Sequence, residues 1–507
     1  MTDARSRTPT AGQATRPGDR PGAAPGGARG GTLWWLAGVA AAFLLAQLAF
    51  VAGRLQLSWD EIVYISQVSM HAPAAYFDPA RARGVPLLVA PVTLITSSVL
   101  ALRIYLSLAS AAGLLLALLA WRGLRPAWLL ALAGLVFGGL WVAQYYGPQA
   151  MPDEWVAFSA LAAAGLLARA MSGQASPREQ RWSLAGLAAS VAVAALVRPG
   201  DAVYLCAALT TAVIVVPGWR PWSALAAIGA GFGAGAAQWV GEASARFGGP
   251  LARLRLAGAE QGGFGWHLAF WDEFKAVNGP TLCRPCTVGL RYPGISAWWL
   301  ALPLLAGFGV LAARRNGQFR SSLLAAGCGL ALAFQYLFLI GYAAPRFLLP
   351  AYALLAIPAA DALGWLVTGV RYRVQPITTA ALVTFLLAQL AVQHVVLAHQ
   401  VAEKTGFFTG YQRIAADLHR HGVRPPCLVK GEQDIPVAFY AGCASAPRVA
   451  SAPRGDDPRK VADGSGGAVV LVRPGDRPPR YARGWTRHDL PGVHSRLLRL
   501  FAYVAPR

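Results

Sequence analysis

The chain has 507 residues, of which 55% are hydrophobic and only 13% are charged, and its formal net charge is +22. So apolar a chain of this length is not an ordinary soluble domain, and the composition indicates a polytopic membrane protein. The 45 Lys and Arg residues are scattered, without the basic and aromatic face of a nucleic-acid-binding protein. We interpret them as topology signals that also attract anionic membrane lipid, and we expect no nucleic-acid partner.

The first 32 residues are rich in Gly, Pro, Ala and Arg and cannot bury a core. They are predicted to form a disordered cytoplasmic tail, residues 1–32. The apolar run at 33–52 exceeds the roughly 7 to 15 apolar residues of a removable signal peptide, so it is predicted to remain as the first membrane span. The richness in Ala, Gly, Arg and Pro also suggests a bacterial host with a GC-rich genome.

Apolar stretches of membrane-spanning length recur from residue 33 to residue 398 and predict an all-α polytopic domain of about eleven transmembrane helices. The predicted spans are 33–52, 101–121, 127–145, 155–170, 183–198, 201–217, 222–240, 295–312, 321–342, 347–368 and 376–397. With eleven spans, the short Arg-bearing loops lie on the same side as the N-terminus, which the positive-inside rule makes cytoplasmic. The long loops 53–100 and 241–294 are then extracytoplasmic.

The segment 399–507 has a different pattern from the rest of the chain. Short apolar runs at 427–429, 468–472 and 497–504 are separated by Pro, Gly and charged residues. This alternation is typical of strands and turns, so it predicts a small C-terminal α/β domain on the extracytoplasmic side. The expected location is therefore the cell membrane, multi-pass, with a cytoplasmic N-terminus.

Four of the six cysteines fall in segments expected outside the cytoplasm, where disulfides persist. Cys427 and Cys443 are expected to pair within the C-terminal domain, and Cys283 and Cys286 within the loop 241–294. The second pair also has the spacing of a redox motif, but it lacks the strand-to-helix context that would tune a thiol. A zinc site would need a second pair of ligands.

Acidic residues interrupt the apolar pattern at three boundaries, as the doublets Asp60-Glu61, Asp153-Glu154 and Asp272-Glu273. All three fall on the expected outer face. An ionised carboxylate is costly inside a bilayer, so such residues line a watery cavity or are solvated loop residues. Their shared sidedness favours an extracytoplasmic functional site.

A single arginine, Arg346, stands in the run Gly341-Tyr342-Ala343-Ala344-Pro345-Arg346-Phe347-Leu348-Leu349-Pro350. The planar guanidinium suits a phosphate, and the outer leaflet is where a lipid phosphate would lie. Prolines that bracket a helix start also expose backbone N–H groups, which favour an anion. The alternative is an arginine that snorkels from the end of a span.

Four motifs in this order resemble the membrane glycosyltransferases of the GT-C fold that use polyprenyl-phosphate sugars, such as protein O-mannosyltransferases and the lipid A aminoarabinose transferase. They are Trp59-Asp60-Glu61, Pro152-Asp153-Glu154-Trp155, Leu196-Val197-Arg198-Pro199-Gly200-Asp201 and Pro345-Arg346-Phe347. The resemblance covers roughly residues 33–370. It implies an inverting transferase with Asp60 as the catalytic base or an acceptor-binding group. It also implies Arg346 near the donor phosphate and Arg198 as a second phosphate ligand.

The chemistry of such a transfer fits these residue types. The acceptor hydroxyl needs a base, whereas the departing phosphate mainly needs cationic stabilisation. Asp60 fits the base, and Glu61 a modulator of it or an acceptor ligand. The expected partners are a polyprenyl-phosphate sugar donor and a glycan, lipid or protein acceptor of the cell envelope.

Other residues and functions stay open. Asp153, Glu154 and His267 are candidate sugar-binding or acceptor-binding residues, and Asp153 with Glu154 would also suit a divalent metal such as Mg or Mn. A transporter or flippase of a lipid-linked or anionic substrate is the alternative from another class, although the acidic residues stop at one face and no internal repeat is evident. A polymerase or ligase of lipid-linked glycans would share the same arginine, and a purely structural membrane protein would leave the acidic doublets unexplained.

Overall fold

The computed structural model describes residues 27–506 except 174, 220, 264, 288, 291, 370–372, 446–466 and 491–498. The described residues are mostly helical. In chain order the α-helices are α1 Gly27–Gln47, α2 Trp59–Ile65, α3 Gly84–Thr93, α4 Val99–Leu119, α5 Ala127–Gly138, α6 Trp141–Tyr146, α7 Asp153–Ala170, α8 Pro177–Val197, α9 Pro199–Val215, α10 Trp222–Arg246, α11 Pro250–Gln261, α12 Phe270–Ala276, α13 Pro293–Ala312, α14 Phe319–Phe338, α15 Leu349–Thr368, α16 Gln375–Arg420 and α17 Asp434–Ala441.

Each of the predicted spans coincides with helical structure. Within the described residues, seven helical segments are long and apolar enough to cross a membrane by length and composition, and three apolar helices, α3, α5 and α9, are shorter. The predicted span 127–145 contains a helix break, because α5 ends at Gly138 and α6 begins at Trp141. The chain is a multi-pass membrane protein, and the count of eleven crossings stays a prediction.

Residues 1–26 of the predicted disordered tail lie outside the described residues. The last six residues of that tail, 27–32, are instead the first residues of α1. A π-helical turn, Leu48–Ala52, continues α1, and 3₁₀ turns follow α13 at Ala313–Asn316 and precede α15 at Pro345–Leu348. Helical structure therefore starts before the apolar run does, because backbone hydrogen bonding does not require an apolar side chain.

Small residues let the long helices pack closely. A Cβ added at Gly231 or Gly235 of α10 would lie 2.3 or 2.1 Å from the backbone carbonyl oxygen of Ala188 or Ala192 in α8. This small-xxx-small spacing is typical of helices that meet in membranes. The span that includes α15 is almost wholly enclosed by its neighbours, with 94% of its most apolar window buried. The start of this central helix therefore lies in the middle of one end of the bundle.

The final helix, α16, is 46 residues long and ends at Arg420. The predicted domain boundary at residue 398 therefore lies within a continuous helix, and the sheet begins later. The strands are β1 Cys427–Gly431, β2 Ala444–Ser445, β3 Gly467–Val472, β4 Thr486–Asp489 and β5 Phe501–Val504. Their order is β2-β1-β3-β5-β4, with β1 parallel to β2 and β3, and β5 antiparallel to β3 and β4.

The sheet domain rests on the loop that carries α2. Ile435 and Phe439 of α17 join the same hydrophobic cluster as Leu57 and Ile62. The side-chain amide of Gln412 in α16 also donates to Gln56 Oε1 at 3.0 Å. We call this end of the bundle the domain face.

Candidate active site

Asp60 lies in the first turn of α2, at a helix start that the sequence fixes locally. Ser58 Oγ accepts from the backbone of Glu61, and the Glu61 carboxylate accepts from the backbone of Ser58 at 2.9 Å, which forms a capping box. The helix therefore begins at Trp59, and Asp60 stands near the positive end of the helix dipole. Its side chain is 26% exposed, so a substrate can reach it.

Two arginines from distant parts of the chain hold Asp60. Its Oδ1 accepts from Arg81 Nη2 at 2.7 Å, and its Oδ2 accepts from Arg346 Nη2 at 2.9 Å. Arg81 lies just before α3, and Arg346 lies in the 3₁₀ turn before α15. Burial would raise the pKa of Asp60, but these two guanidinium groups outweigh burial and hold the pKa below its ordinary value of 3.8. Asp60 is therefore ionised at neutral pH.

The same contacts extend into a row of alternating charges. Arg346 Nε lies 3.5 Å from Asp153 Oδ2. Asp153 also pairs with Arg198, whose Nε lies 3.6 Å from Asp201 Oδ1. We call this row the ionic chain, and it consists of Arg81, Asp60, Arg346, Asp153, Arg198 and Asp201. Arg81 is also paired with Asp78, so four carboxylates in all contact these three guanidinium groups.

Aromatic and amide groups from α14 and from the 3₁₀ turn before α15 support one end of the ionic chain. The Tyr336 hydroxyl and the Gln335 amide donate to Asp201 Oδ1 at 2.6 and 2.7 Å. The Arg198 guanidinium lies 5.3 Å from the ring centroid of Tyr336 and 5.1 Å from that of Phe347. Such cation–π contacts hold a guanidinium in a defined orientation. The positions of the cationic groups are therefore set before any ligand arrives.

Glu61, predicted as a modulator of Asp60 or an acceptor ligand, is fully buried and faces other partners. Its carboxylate pairs with Arg103 of α4, with Nη2 donating at 2.9 Å, and also accepts from the backbone of Ala150 at 2.9 Å. Consecutive helical residues differ in direction by about 100°, so Glu61 points inward where Asp60 points to the ionic chain. These contacts tie α2 to its neighbours, and a role of Glu61 in binding a sugar or an acceptor stays a prediction.

Asp153 and Glu154 are separated in the same way. Asp153 belongs to the ionic chain, whereas the Glu154 carboxylate accepts from Ser110 of α4 at 3.1 Å, and Ser110 in turn accepts from Gln47 of α1. The two carboxylates therefore do not converge on one metal ion. Among the residues that the structure describes, no group of three or more His, Cys, Asp or Glu could hold a metal. The predicted metal site at this doublet does not fit the observed arrangement.

His267 lies on an exposed part of the segment 262–292. Its backbone N–H donates to the Phe338 carbonyl at 2.9 Å, at the end of α14. Its ring lies beside Gly341, where an added Cβ would sit 3.3 Å from Nδ1. Within the described part of the chain, the His267 side chain makes no hydrogen bond to the ionic chain. Its role in binding a sugar or an acceptor stays a prediction.

Both expected cysteine pairs are disulfide-bonded in the structure, Cys283 with Cys286 and Cys427 with Cys443. The first pair also meets the segment before α15. The backbone of Cys283 donates to Ala343 O at 2.8 Å and accepts from the Ala343 N–H at 3.2 Å. The loop disulfide is therefore hydrogen-bonded to a residue that lies three positions before Arg346.

Glu273 of α12 also contacts the segment before α15, through a hydrogen bond from the backbone of that segment. It is fully buried, and its Oε1 accepts from the backbone N–H of Ala344 at 3.3 Å. Burial raises the pKa of Glu273 well above its ordinary value. Glu273 thus positions the backbone two residues before Arg346.

Arg81 was not predicted as a site residue, yet it contacts Asp60 more closely than Arg346 does. A signal was present, because Arg81 and Arg83 lie in the loop 53–100, on the face where the positive-inside rule expects few basic residues. Arg83 proves to be paired with Glu242 of α10 at 2.6 Å. Both arginines lie on the face where the positive-inside rule expects few basic residues, and both form ion pairs with carboxylates.

No family model matches this sequence, and no curated protein matches it either. Solved structures do match in shape. ArnT from Cupriavidus metallidurans bound to undecaprenyl phosphate superimposes with a TM-score of 0.65 at 14% identity, over 93% of this chain and 98% of that one. The same protein in the apo state gives a TM-score of 0.62 over the same shares of the two chains, also at 14% identity.

A second solved protein supports the same architecture. The apo form of the Archaeoglobus fulgidus oligosaccharyltransferase gives a TM-score of 0.52 at 12% identity, over 87% of this chain and 70% of that one. At identities this low, the matches are evidence for the fold alone. That fold agrees with the resemblance that the four sequence motifs indicate. The chain therefore has the GT-C fold that ArnT and this oligosaccharyltransferase share.

Proposed function

We propose that this protein transfers a sugar from a polyprenyl-phosphate donor to a cell-envelope acceptor on the extracytoplasmic face of the membrane. The observation that carries the proposal is the position of Asp60. It is a partly exposed carboxylate between two guanidinium groups, beside the start of the central helix of a GT-C fold. ArnT of the same fold has been solved with undecaprenyl phosphate bound. In this proposal the domain face is the extracytoplasmic face.

Arg346 and Arg198 are the proposed ligands of the donor phosphate. A glycosyl phosphate leaves as a phosphate, so its departure needs cationic stabilisation more than a general acid. Arg346 donates one Nη2 hydrogen bond to Asp60, and a guanidinium has five N–H donors in all, so it can hold Asp60 and a phosphate at once. The aromatic rings beside Arg198 exclude water and strengthen its attraction for an anion.

Donor binding would also activate the base. In the free protein Arg81 and Arg346 hold the pKa of Asp60 low, which makes it a weak proton acceptor. A phosphate beside Arg346 competes for the same positive charge, so the pKa of Asp60 rises when the donor binds. Asp60 then takes the proton of the acceptor hydroxyl as that oxygen attacks the anomeric carbon. One such displacement inverts the configuration of the sugar.

The test is transfer of radiolabelled sugar from polyprenyl phosphate by purified protein in nanodiscs, with donor concentration varied. Arg346→Lys is expected to raise the donor KM about tenfold or more and to lower transfer, since one ammonium cannot reproduce a bidentate fork on a phosphate. Asp60→Asn is expected to lower kcat with little change in the donor KM. The two variants should therefore fail in different ways.

A matched control lies at the other end of the central helix. Asp361 of α15 pairs with Arg125 at 2.8 Å, far along the same helix from Arg346. Asp361→Asn removes a buried ion pair of the same chemistry, so it is expected to lower stability but to keep the donor KM. An unchanged donor KM in Arg346→Lys would remove this arginine from the phosphate site. Equal loss of transfer in the control would show that the assay reports folding alone.

A further inference from the structure

The loop that carries Arg81 is enclosed between two parts of the bundle. On one side, the Arg81 side chain reaches Asp60 of α2. On the other side, Ala82 packs in one hydrophobic cluster with Trp239 of α10. Residues 66–83, all of which the structure describes, contain no helix or strand, so the shape of this loop depends on the groups that contact it. The position of Arg81 is therefore set in part by α10 and by α11, which follows it in the chain.

Arg253 of α11 binds the backbone of this loop. Its Nε donates to the Pro79 carbonyl at 3.0 Å, and its Nη2 donates to the Arg81 carbonyl at 2.9 Å. Its Nη1 donates to the carbonyl of Trp239 in α10, also at 3.0 Å. Each of the three guanidinium nitrogens therefore holds a different backbone carbonyl. Because a guanidinium is planar and its donors point in fixed directions, Arg253 orients the loop relative to α10.

The surroundings of Arg253 fix its own orientation. The side chain is fully buried, and its guanidinium carbon lies 4.6 Å from the ring centroid of Trp239 and 4.8 Å from that of Phe247. Its Nη1 also lies 3.2 Å from Glu242 Oε2. A buried charge without a partner would be costly, so the carboxylate and the two rings hold the guanidinium in this place. Arg253 is therefore a fixed support for the loop.

The carbonyls that Arg253 holds belong to a tight turn that also orients the Arg81 side chain. The Arg81 N–H donates to the Asp78 carbonyl at 3.1 Å, which closes the turn 78–81. The Nε of Arg81 is paired with the Asp78 carboxylate, while its Nη2 donates to Asp60 at 2.7 Å. Since the guanidinium is rigid, a rotation of this turn would carry Nη2 away from Asp60.

We propose that Arg253 is a positioning residue, which holds the turn 78–81 so that the Arg81 guanidinium stays against Asp60. The hydrogen bonds of Arg253 go to backbone carbonyls, so it acts on Asp60 through Arg81. A helix of the loop 241–294 thereby controls the proposed base. The importance of this control for sugar transfer rests on the proposed function, whereas the effect of Arg253 on the Asp60 carboxylate does not.

The consequence is a predicted direction for the titration of Asp60. Burial raises the pKa of Asp60, and Arg81 is the largest of the opposing influences, followed by Arg346 and Arg198. A displaced Arg81 would lower this pKa less than a well-placed one does. Arg253→Met removes all three donors and keeps a long side chain, so it is expected to raise the pKa of Asp60. The rise should be no larger than that in Arg81→Gln, which removes the charge altogether.

The test is an infrared titration of the full-length protein in nanodiscs, labelled with aspartate that carries carbon-13 in its side-chain carboxyl. The Asp60 signal is the carboxyl band that is absent from Asp60→Asn. Arg253→Met is expected to shift the midpoint of this band upward, and the acid limb of kcat/KM should move in the same direction. The matched control is Arg255→Met, which removes an equal charge from an exposed position of the same helix and should leave the midpoint unchanged.

A second variant covers the case in which Arg253→Met does not fold, which thermal unfolding would reveal. Arg253→Lys keeps the charge beside Glu242, but one ammonium cannot reproduce the fork, so a smaller upward shift is expected. In Arg81→Gln protein, adding Arg253→Met should give no further shift, because no guanidinium is left to position. A further shift there would mean that Arg253 acts on Asp60 through its own charge, and it would overturn the proposal. An unchanged midpoint in the folded Arg253 variants would also overturn it, as would an equal shift in Arg255→Met.

The titration needs neither donor nor acceptor, which separates this proposal from the proposed function. A wild-type protein without sugar transfer would refute the proposed function, and the expected midpoints would still establish Arg253 as a positioning residue of Asp60. A shifted midpoint with an unmoved acid limb would likewise keep Arg253 in this role and would refute Asp60 as the base.

Discussion

The replacement Asp60→Asn tests the proposed base with little change in shape. The amide keeps one carbonyl acceptor for a guanidinium and presents an N–H₂ group to the other. One charge-assisted hydrogen bond is lost, which is typically worth about 1.5–3 kcal/mol. The side chain is 26% exposed, so solvent screening reduces the expected loss of stability to about 1–2 kcal/mol. The variant should therefore fold and insert.

The expected loss of transfer is larger than this loss of stability. Removing a general base typically lowers the rate about 100-fold to 10,000-fold, or about 2.7–5.4 kcal/mol in the activation barrier. Donor affinity should stay equal or improve, because Arg81 and Arg346 no longer share their charge with a carboxylate. The result to look for is a low kcat with an unchanged or lower donor KM.

The assay measures initial rates of labelled sugar transfer in nanodiscs over a range of donor concentrations, with thermal unfolding followed on the same samples. A kcat within a few-fold of the wild type would exclude Asp60 as the base. A raised donor KM with normal kcat would also refute the reasoning, because it would make Asp60 a donor-binding residue. Retained unfolding temperature excludes misfolding as the cause of inactivity.

The pH dependence of stability follows from the low pKa of Asp60. Its folded pKa lies below the ordinary value of 3.8, so its ion pairs contribute fully above about pH 4 and are lost as the pH falls through the folded pKa. We therefore expect no change in stability from Asp60 between about pH 5 and pH 8. A transition in that window that disappears in Asp60→Asn would contradict the assigned direction of the shift.

The remaining predictions concern the neighbours of the site and the topology. Arg81→Gln should raise the pKa of the catalytic carboxylate, seen as an upward move of the acid limb of kcat/KM against pH. Glu273→Ala should raise the donor KM, whereas Glu273→Gln, which keeps an acceptor for the backbone before the phosphate-binding arginine, should leave it normal. Cys427→Ser opens a 16-residue loop and should lower the free energy of unfolding by about 3 kcal/mol, followed by thermal unfolding. A membrane-impermeant thiol reagent should label Trp271→Cys but not Arg315→Cys in intact cells, and labelling of both or of neither would contradict the eleven-span topology.

Much of this protein could be predicted from local sequence alone. Apolar length determined the positions of the spans, because a bilayer excludes unpaired backbone groups and charge. The alternation of short apolar runs located β1, β3 and β5. The cost of a charged side chain at a membrane boundary also singled out Asp60 and Arg346, and the family resemblance added Arg198. All three belong to the ionic chain.

Helix boundaries could be predicted less accurately from the sequence. Hydropathy ends near residue 398, but α16 continues to Arg420, because a helix keeps its hydrogen bonds after it leaves an apolar environment. The apolar run 127–145 is uniform in hydropathy, yet it contains the break between α5 and α6. The hydropathy of a segment indicates whether its surroundings are apolar. The position of the helix break depends instead on which residues pack against the segment.

Only the tertiary structure decided which member of each acidic doublet joins the site. Asp60 and Glu61 are neighbours with the same charge, as are Asp153 and Glu154. A turn of about 100° per residue sends the first of each pair to the ionic chain and the second to partners inside the bundle. The pairing of Arg81 with Asp60 likewise joins residues 21 positions apart without a local motif. Sequence fixes which charges stand at the membrane boundary, and the packing of α2, α7 and α15 fixes which of them meet.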